Sequence, residues 1–370
     1  MSALGKFVGS QTVRELLQKG IINKEGVRLL DCSFVPGVKP DWKKFRLEQY
    51  GKFDKLAQAK TRGREMYLAG HIPEAVHADL DLAMYPGQYE RFSQYPPEVF
   101  EQYIELLGVN RGEHLILYGR GAYHGMMWPA RFAWLFKSYG HQEVSLLDGG
   151  LEDWANRGFE ITQEVPKLPK GNWKAGDHFK ETLITFEELE SVNGNYEPKP
   201  VPDIEPTDPE AEQKEKEAKW SKEMEDWEKR NRGHMLIDQT SSINFLDSRP
   251  RAQFEGLQES GLNQMYCDAA HIPGFLNLPV GEMFTDEGTI KDPAMIKAWL
   301  EENGFSAEKP TVTQCMTGMQ ASLLAYGIEY ALPDHRPRLH SGSLKEMEVR
   351  DPRKVSGGHR HIPLSANAKL

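Results

Sequence analysis

Cysteine is scarce in this chain: three residues in 370, at Cys32, Cys267 and Cys315. An odd and sparse set argues against a disulfide framework and suits a reducing compartment. Long apolar runs are missing as well. No stretch approaches the roughly 20 residues that a membrane helix needs. The opening residues MSALGKFVGSQTVRELLQKG hold no long apolar core before a small-residue cleavage site. Neither a membrane anchor nor a secretory signal is therefore expected. A cytoplasmic location is the expectation, with the mitochondrion as the alternative. Positive charge is in deficit, with 45 Lys and Arg against 55 Asp and Glu, a formal net charge of -10. That balance disfavours a general binder of nucleic acid or anionic membrane. What is present is enough apolar material, 39% of residues, to build cores without disulfides or metal, over a length that suits two domains.

Four landmarks occur twice in the same order. The first set is RLLDCS (28–33), AGHIPEAVHADL (69–80), HLILYGRG (114–121) and VSLLDGGLEDW (144–154). The second is NFLDSR (244–249), AAHIPGFLNLP (269–279), TVTQCMTG (311–318) and PRLHSGSL (337–344). Self-similarity at half the chain length marks a duplicated domain. The short apolar runs that stop at polar or glycine residues read as buried parallel strands. Segments between them carry helical spacing. Residues 96–108 put Val99, Tyr103 and Leu106/Leu107 on one face, and residues 293–304 do the same with Met295, Ala298 and Trp299, ending at Gly304 as a C-cap. Alternating strands and helices predict an α/β fold of two mainly parallel sheets flanked by helices, over 9–165 and 234–350. Ligands bind such sheets at the carboxyl ends of the strands.

Residues 193–233 differ in character. Prolines come first, then a dense run of Glu, Lys and Ala with helical charge spacing from about Asp208 to Arg232. The first part reads as an extended connector and the second as a solvated helix, so the whole is a linker or a surface insertion. Trp220 and Trp227, seven apart, would share a face and offer a partner a docking surface. The polar tail 351–370 is expected to be extended or disordered.

The segment that can carry chemistry is TVTQCMTGMQASLLAYGIEYAL (311–332). A β-rich run delivers Cys315 to a strand end, Gly318 permits a tight reversal, and an apolar helix follows. The N–H groups of Met316, Thr317, Gly318, Met319, Gln320 and Ala321 are then able to curve around the sulfur. A helix N-terminus and a nest of amides favour negative charge there. Such surroundings bring a thiol from about 8.5 into roughly the 3.5–7.5 range. The other reading of a lone cysteine is an inert buried thiol, and it is the favoured one for Cys32 and Cys267.

Cys315-x-x-Gly318-x-x-Ala321, together with the paired HIP segments and LLDGGLEDW, resembles the rhodanese superfamily. The duplicated layout, with a cysteine in the second loop only, resembles the thiosulfate and 3-mercaptopyruvate sulfurtransferases. The resemblance runs from about Gly9 to Glu348, the charged insertion excepted. It implies two tandem rhodanese-like domains and a persulfide on Cys315. A small sulfur donor would supply the sulfane sulfur, and a thiol or cyanide would accept it, with a thioredoxin-like reductant as a further partner. It implies no metal or organic cofactor, and a monomer is expected. In the first copy Gly119 aligns with Cys315 and cannot accept sulfur. His71 and Arg120 are expected to be structural, with a role in the cleft as the alternative; His271 is read as turn-fixing.

The match has gaps. The neutral loop residues Met316, Thr317, Met319 and Gln320 resemble the mercaptopyruvate type. That type holds its substrate with two arginines after the LDSR strand, yet here Gln253 precedes Phe254. Arg249 and Arg251 are the nearby substrate-binding candidates. Their other readings are a structural ion pair and a solvated surface charge. The family's second copy reads aspartate-glycine-serine-tryptophan where this chain has Ser341-Gly342-Ser343-Leu344. These departures keep open a catalytically weak or inactive rhodanese-like binding protein. A cysteine phosphatase is disfavoured, because no arginine follows Cys315 in the loop to clamp phosphate.

Overall fold

A computed structural model describes residues 4–191, 208–231, 242–259, 267 and 269–355. In chain order the strands are β1 (Phe7–Val8), β2 (Val27–Asp31), β3 (Val76–His77), β4 (Met84–Tyr85), β5 (Ser93–Gln94) and β6 (His114–Tyr118). Then come β7 (Val144–Leu147), β8 (Leu183–Ile184), β9 (Asn244–Asp247), β10 (Leu276–Asn277), β11 (Thr311–Gln314) and β12 (Arg338–His340).

Two five-stranded sheets result, in the orders β1-β7-β6-β2-β3 and β8-β12-β11-β9-β10, every pairing parallel. The two orders are the same, strand for strand, and reproduce the repeat. Parallel strands are buried on both faces, which is why Leu29, Leu30, Ile116, Leu117, Leu246 and Leu339 carry no exposed surface. A small antiparallel pair, β4 with β5, stands apart from both sheets.

The pairing shifts the unit boundaries away from those expected. The first sheet begins at Phe7, ahead of residue 9. Strand β8 joins the second sheet beside β12, although it lies ahead of the charged stretch. The charged stretch therefore interrupts the second unit after its edge strand and does not join two finished domains. Its described part is a helix, Glu210–Asn231, held by Lys-to-Glu pairs such as Lys214–Glu210. Residues 192–207 and 232–241 lie outside the described residues, as does the side chain of Trp227. So does the tail beyond 355; Pro352–Lys354 form a single turn.

Both helices expected between the landmarks form; the first buries the expected Tyr103 and Leu107 but adds Phe100 and Ile104, with Val99 half-buried, and the second is turned by one residue from the expected phase. Pro97–Leu106 buries Phe100, Tyr103 and Ile104 and leaves Leu106 exposed. Pro293–Glu302 buries Ile296 and Leu300, with Met295 in solvent. Residues four apart define a helix face, and here the neighbours in sequence are apolar too, so spacing alone admitted either phase. Gly304 follows the second helix at φ +88°, in the left-handed region expected of a C-terminal cap.

The two units meet along two helices, Met127–Ser138 of the first and Met319–Ala331 of the second. Polar contacts close the seam at both ends. Lys6 and Lys137 both reach Glu329, and the Tyr326 hydroxyl donates to the carbonyls of Lys6 and Val144. The Ile290 N–H donates to Asp148 Oδ1 at 2.9 Å. No helix among the described residues is long and apolar enough to cross a membrane.

Candidate active site around Cys315

Cys315 follows the last residue of β11, at the carboxyl edge of the second sheet. Its residue is only 1% exposed. Trp134 of the first unit, together with Ala321, Ala325, Leu339 and half-buried Leu183, surrounds it with apolar surface. The sulfur accepts the N–H of Gly318 at 3.1 Å, closing a three-residue turn. Gly318 stands at φ +83°, and a Cβ there would lie 2.6 Å from the Ser341 carbonyl oxygen. Only glycine fits that position. Met319, Gln320 and Ala321 then open the helix, so their N–H groups are among the donors that a helix start leaves without a helical partner.

The SGSL segment braces this turn from below. The Cys315 N–H donates to Ser343 Oγ at 3.2 Å, and Ser343 Oγ donates to the His340 carbonyl. The N–H of Leu344 donates to the Cys315 carbonyl, and that of Lys345 to the Met316 carbonyl. In the first unit the Leu151 N–H donates to the Gly119 carbonyl in the same way, which places Gly119 opposite Cys315 and Leu151 opposite Leu344. A Cβ on Gly119 would lie 2.9 Å from the Gly125 carbonyl, so that loop is closed over the place a side chain would occupy.

The two arginines suggested by sequence are both engaged by carboxylates. Arg249 is fully buried, its Nη2 2.8 Å from Asp247, and it also donates to the Ala270 carbonyl. Burial opposes its charge, but Asp247, and beyond it the Cys267 and Cys315 sulfurs, hold the guanidinium protonated. Arg251 is exposed and pairs with Glu282 at 2.7 Å, with Asn303 beside it. Arg120 is occupied within its own unit by Asp31, Ser33 and the Gly70 carbonyl. His71 stacks on Tyr67 and His271 on Phe254, each bonded to that residue's carbonyl. Asp31 and Asp247 thus each hold one arginine, and the histidines fix turns.

Cys32 and Cys267 are also free and buried, and burial pushes both thiols well up. Among the described residues, no group of His, Cys, Asp and Glu is gathered as a metal site.

Sequence reasoning missed two side chains of the first unit that converge here. The Tyr123 hydroxyl accepts from Gln320 Nε2 at 2.6 Å. Burial raises the Tyr123 phenol, the Gln320 bond opposes that rise, and the Cys315 charge adds to it. Arg131 reaches across the seam to Ser322 and Ser341. A signal for Arg131 was available, since it is the one charge in the apolar run MWPARFAWLF. Tyr123 carried none beyond its place in the loop aligned with that of Cys315.

A rhodanese-like domain profile matches residues 53–157. The Caenorhabditis elegans protein named "Putative thiosulfate sulfurtransferase mpst-1" is 46% identical over 362 residues, covering 98% of this chain and 99% of its own. The thiosulfate sulfurtransferase of Gallus gallus is 24% identical over 327 residues, 87% of each chain. The crystal structure of SseA from Escherichia coli, described among the 3-mercaptopyruvate sulfotransferases, superposes with a TM-score of 0.62 at 20% identity, over 92% of this chain and 99% of that one. Full-length similarity of this kind, on two parallel sheets of the same strand order with a cysteine loop in the second alone, makes this chain a member of the tandem rhodanese-domain sulfurtransferase family.

Proposed function

We propose that this protein moves a sulfane sulfur from a small anionic donor to a thiol or cyanide through a persulfide on Cys315. The observation that carries the reading is the turn in which the Gly318 N–H donates to the Cys315 sulfur at a strand-to-helix junction. A thiolate there attacks the outer sulfur of thiosulfate; the new S–S bond forms as the old one breaks, and sulfite departs with the electron pair. With 3-mercaptopyruvate the carbon–sulfur bond breaks instead, and the thiol proton ends on the carbon of pyruvate. The acceptor then attacks the terminal sulfur and returns Cys315 as a thiolate. Amides aimed at the terminal sulfur stabilise its charge at no cost of reorganisation.

Both donors are kept, since relatives are named for each. The neutral side chains of Met316, Thr317, Met319 and Gln320 favour the mercaptopyruvate class. Of the two arginines after β9, Arg251 is the exposed one that can meet a donor, whereas Arg249 is buried against Asp247; the protein acts as a cytoplasmic monomer with a thioredoxin-like reductant. The burial of Cys315 favours a second reading, a weak or inactive sulfur-binding protein.

Intact mass after incubation with each donor tests the proposal. One added sulfur is expected, lost in Cys315→Ser and kept in Cys32→Ser. Turnover of mercaptopyruvate or thiosulfate no faster than that of Cys315→Ala would leave the binding-protein reading. An adduct on Cys267 would overturn the assignment of the nucleophile.

A further inference from the structure

We propose that Arg131, on the helix of the unit that lacks a cysteine, is the positive charge that stabilises the Cys315 thiolate and its persulfide from across the seam. The inference deepens the sulfur-carrier reading and rests on it.

Arg131 is fully buried. Its Nη2 donates to Ser341 Oγ at 2.6 Å and its Nη1 lies 3.4 Å from Ser322 Oγ, while its Nε has no partner. Among the described residues no carboxylate pairs with it. A buried cation with only hydroxyl partners is costly unless an anion stands close by. Its two partners are the residues that wall the cysteine turn. Ser322 Oγ donates to the Gly318 carbonyl, and the Ser341 carbonyl fills the place where a Cβ on Gly318 would sit. Gly318 is the residue whose N–H reaches the sulfur. The guanidinium is thus tied to the turn through two residues, Ser322 by its hydroxyl and Ser341 by its hydroxyl on one side and its backbone on the other.

The other charges nearby are otherwise engaged. Glu90 is bonded by Ser93, and burial and Glu346 both press its carboxyl toward the neutral form. Glu346 faces His340 and Arg350. Arg249 is paired with Asp247, the Tyr123 hydroxyl is bonded by Gln320, and the Tyr139 hydroxyl donates to the Tyr95 carbonyl. Burial pulls the Arg131 guanidinium down to about 10, and the Cys315 sulfur is the first charge that opposes the fall, ahead of Glu90 and Tyr139. Ser341 completes the arrangement. Where the family pattern has an aspartate, this chain has a hydroxyl, so the charge of Arg131 is left for the sulfur.

The test is the pH at which Cys315 becomes a thiolate, read by ultraviolet thiolate absorbance with Cys315→Ser as the blank. Arg131→Met should raise that pH by about one unit or more, and Ser341→Asp, which gives the guanidinium a carboxylate, should do the same. Arg131→Lys should stay near the wild type. Folded Arg131→Met and Ser341→Asp proteins that titrate as the wild type overturn the proposal. If Arg131→Met does not fold, Arg131→Gln, which keeps an N–H donor for Ser341 or Ser322 but no charge, takes its place, because a carboxylate at 341 also repels the thiolate directly. The titration needs no sulfur donor. A wild type that takes up no sulfur would therefore sink the functional reading while leaving the result for Arg131 legible.

Discussion

Ser343 occupies a left-handed backbone position, φ +54°, and from it receives the N–H of Cys315 on its hydroxyl oxygen at 3.2 Å. The matching residue of the first unit, Gly150, has φ +57° and no side chain to offer. A non-glycine residue in that region costs of order 1 kcal/mol or more. The second unit bears the strain, and in return the hydroxyl satisfies a buried amide of the cysteine turn. Ser343→Ala keeps the strain and loses the bond, so about 1–3 kcal/mol of stability should go, with slower persulfide formation. Ser343→Gly sheds the strain and should be the more stable of the two in urea melts. The reverse order would show that the left-handed backbone at residue 343 carries no strain, and a Ser343→Ala protein as stable as the wild type would show that the hydroxyl does not hold the turn.

The turn should be equally intolerant at Gly318. Gly318→Ala places a Cβ 2.6 Å from a carbonyl oxygen at φ +83°. Persulfide formation should fall at least tenfold, a loss of about 1.4 kcal/mol or more in the barrier. Wild-type rates in that variant would mean the sulfur does not depend on this backbone path.

A thiol in the first unit should not substitute for Cys315. Gly119→Cys in a Cys315→Ser background presses its Cβ against the Gly125 carbonyl and the Pro129 ring. No sulfur adduct is expected by mass, and the melting temperature should drop.

The two arginines after β9 should separate cleanly. Removing Arg249 strands Asp247 as a buried charge, and Arg249→Ala should cost about 3–5 kcal/mol. Arg251 is exposed, so Arg251→Ala should cost under about 1 kcal/mol. Chemical denaturation measures both. If Arg251 also serves the donor, its loss appears as a raised KM in a protein of ordinary stability.

Asp148 gives the seam a pH dependence. Burial, opposed by the Ile290 N–H, raises its carboxyl to about 6, against about 3.9 in the unfolded chain. Between those values the folded protein holds the proton more tightly. The contribution of Asp148 to stability is therefore full below about pH 4 and is lost as pH rises through 6. Asp148→Asn keeps the acceptor for Ile290. The stability of the wild type minus that of this variant should decline from pH 4 to 6 and level off above. A flat difference would place the carboxyl in water.

Much of this protein is written in its order of residues. The repeat, the parallel strands, the charged helix near 210–231 and the cysteine at a strand-to-helix turn all follow from local patterns, because strand burial and turn chemistry act over a few residues. Other features were settled only when the chain closed on itself. Which further apolar residues of the helix at 97–106 are buried, and the one-residue phase of the helix at 293–302, depend on which neighbour meets the sheet. Strand β8 pairs across the charged stretch, and nothing local to Leu183–Ile184 names β12 as its partner. Arg131 and Tyr123 lie on one unit and Cys315 on the other, and an isolated residue does not record what will face it after burial. Electrostatics in the interior is a property of distance in space, and that distance exists only in the folded molecule.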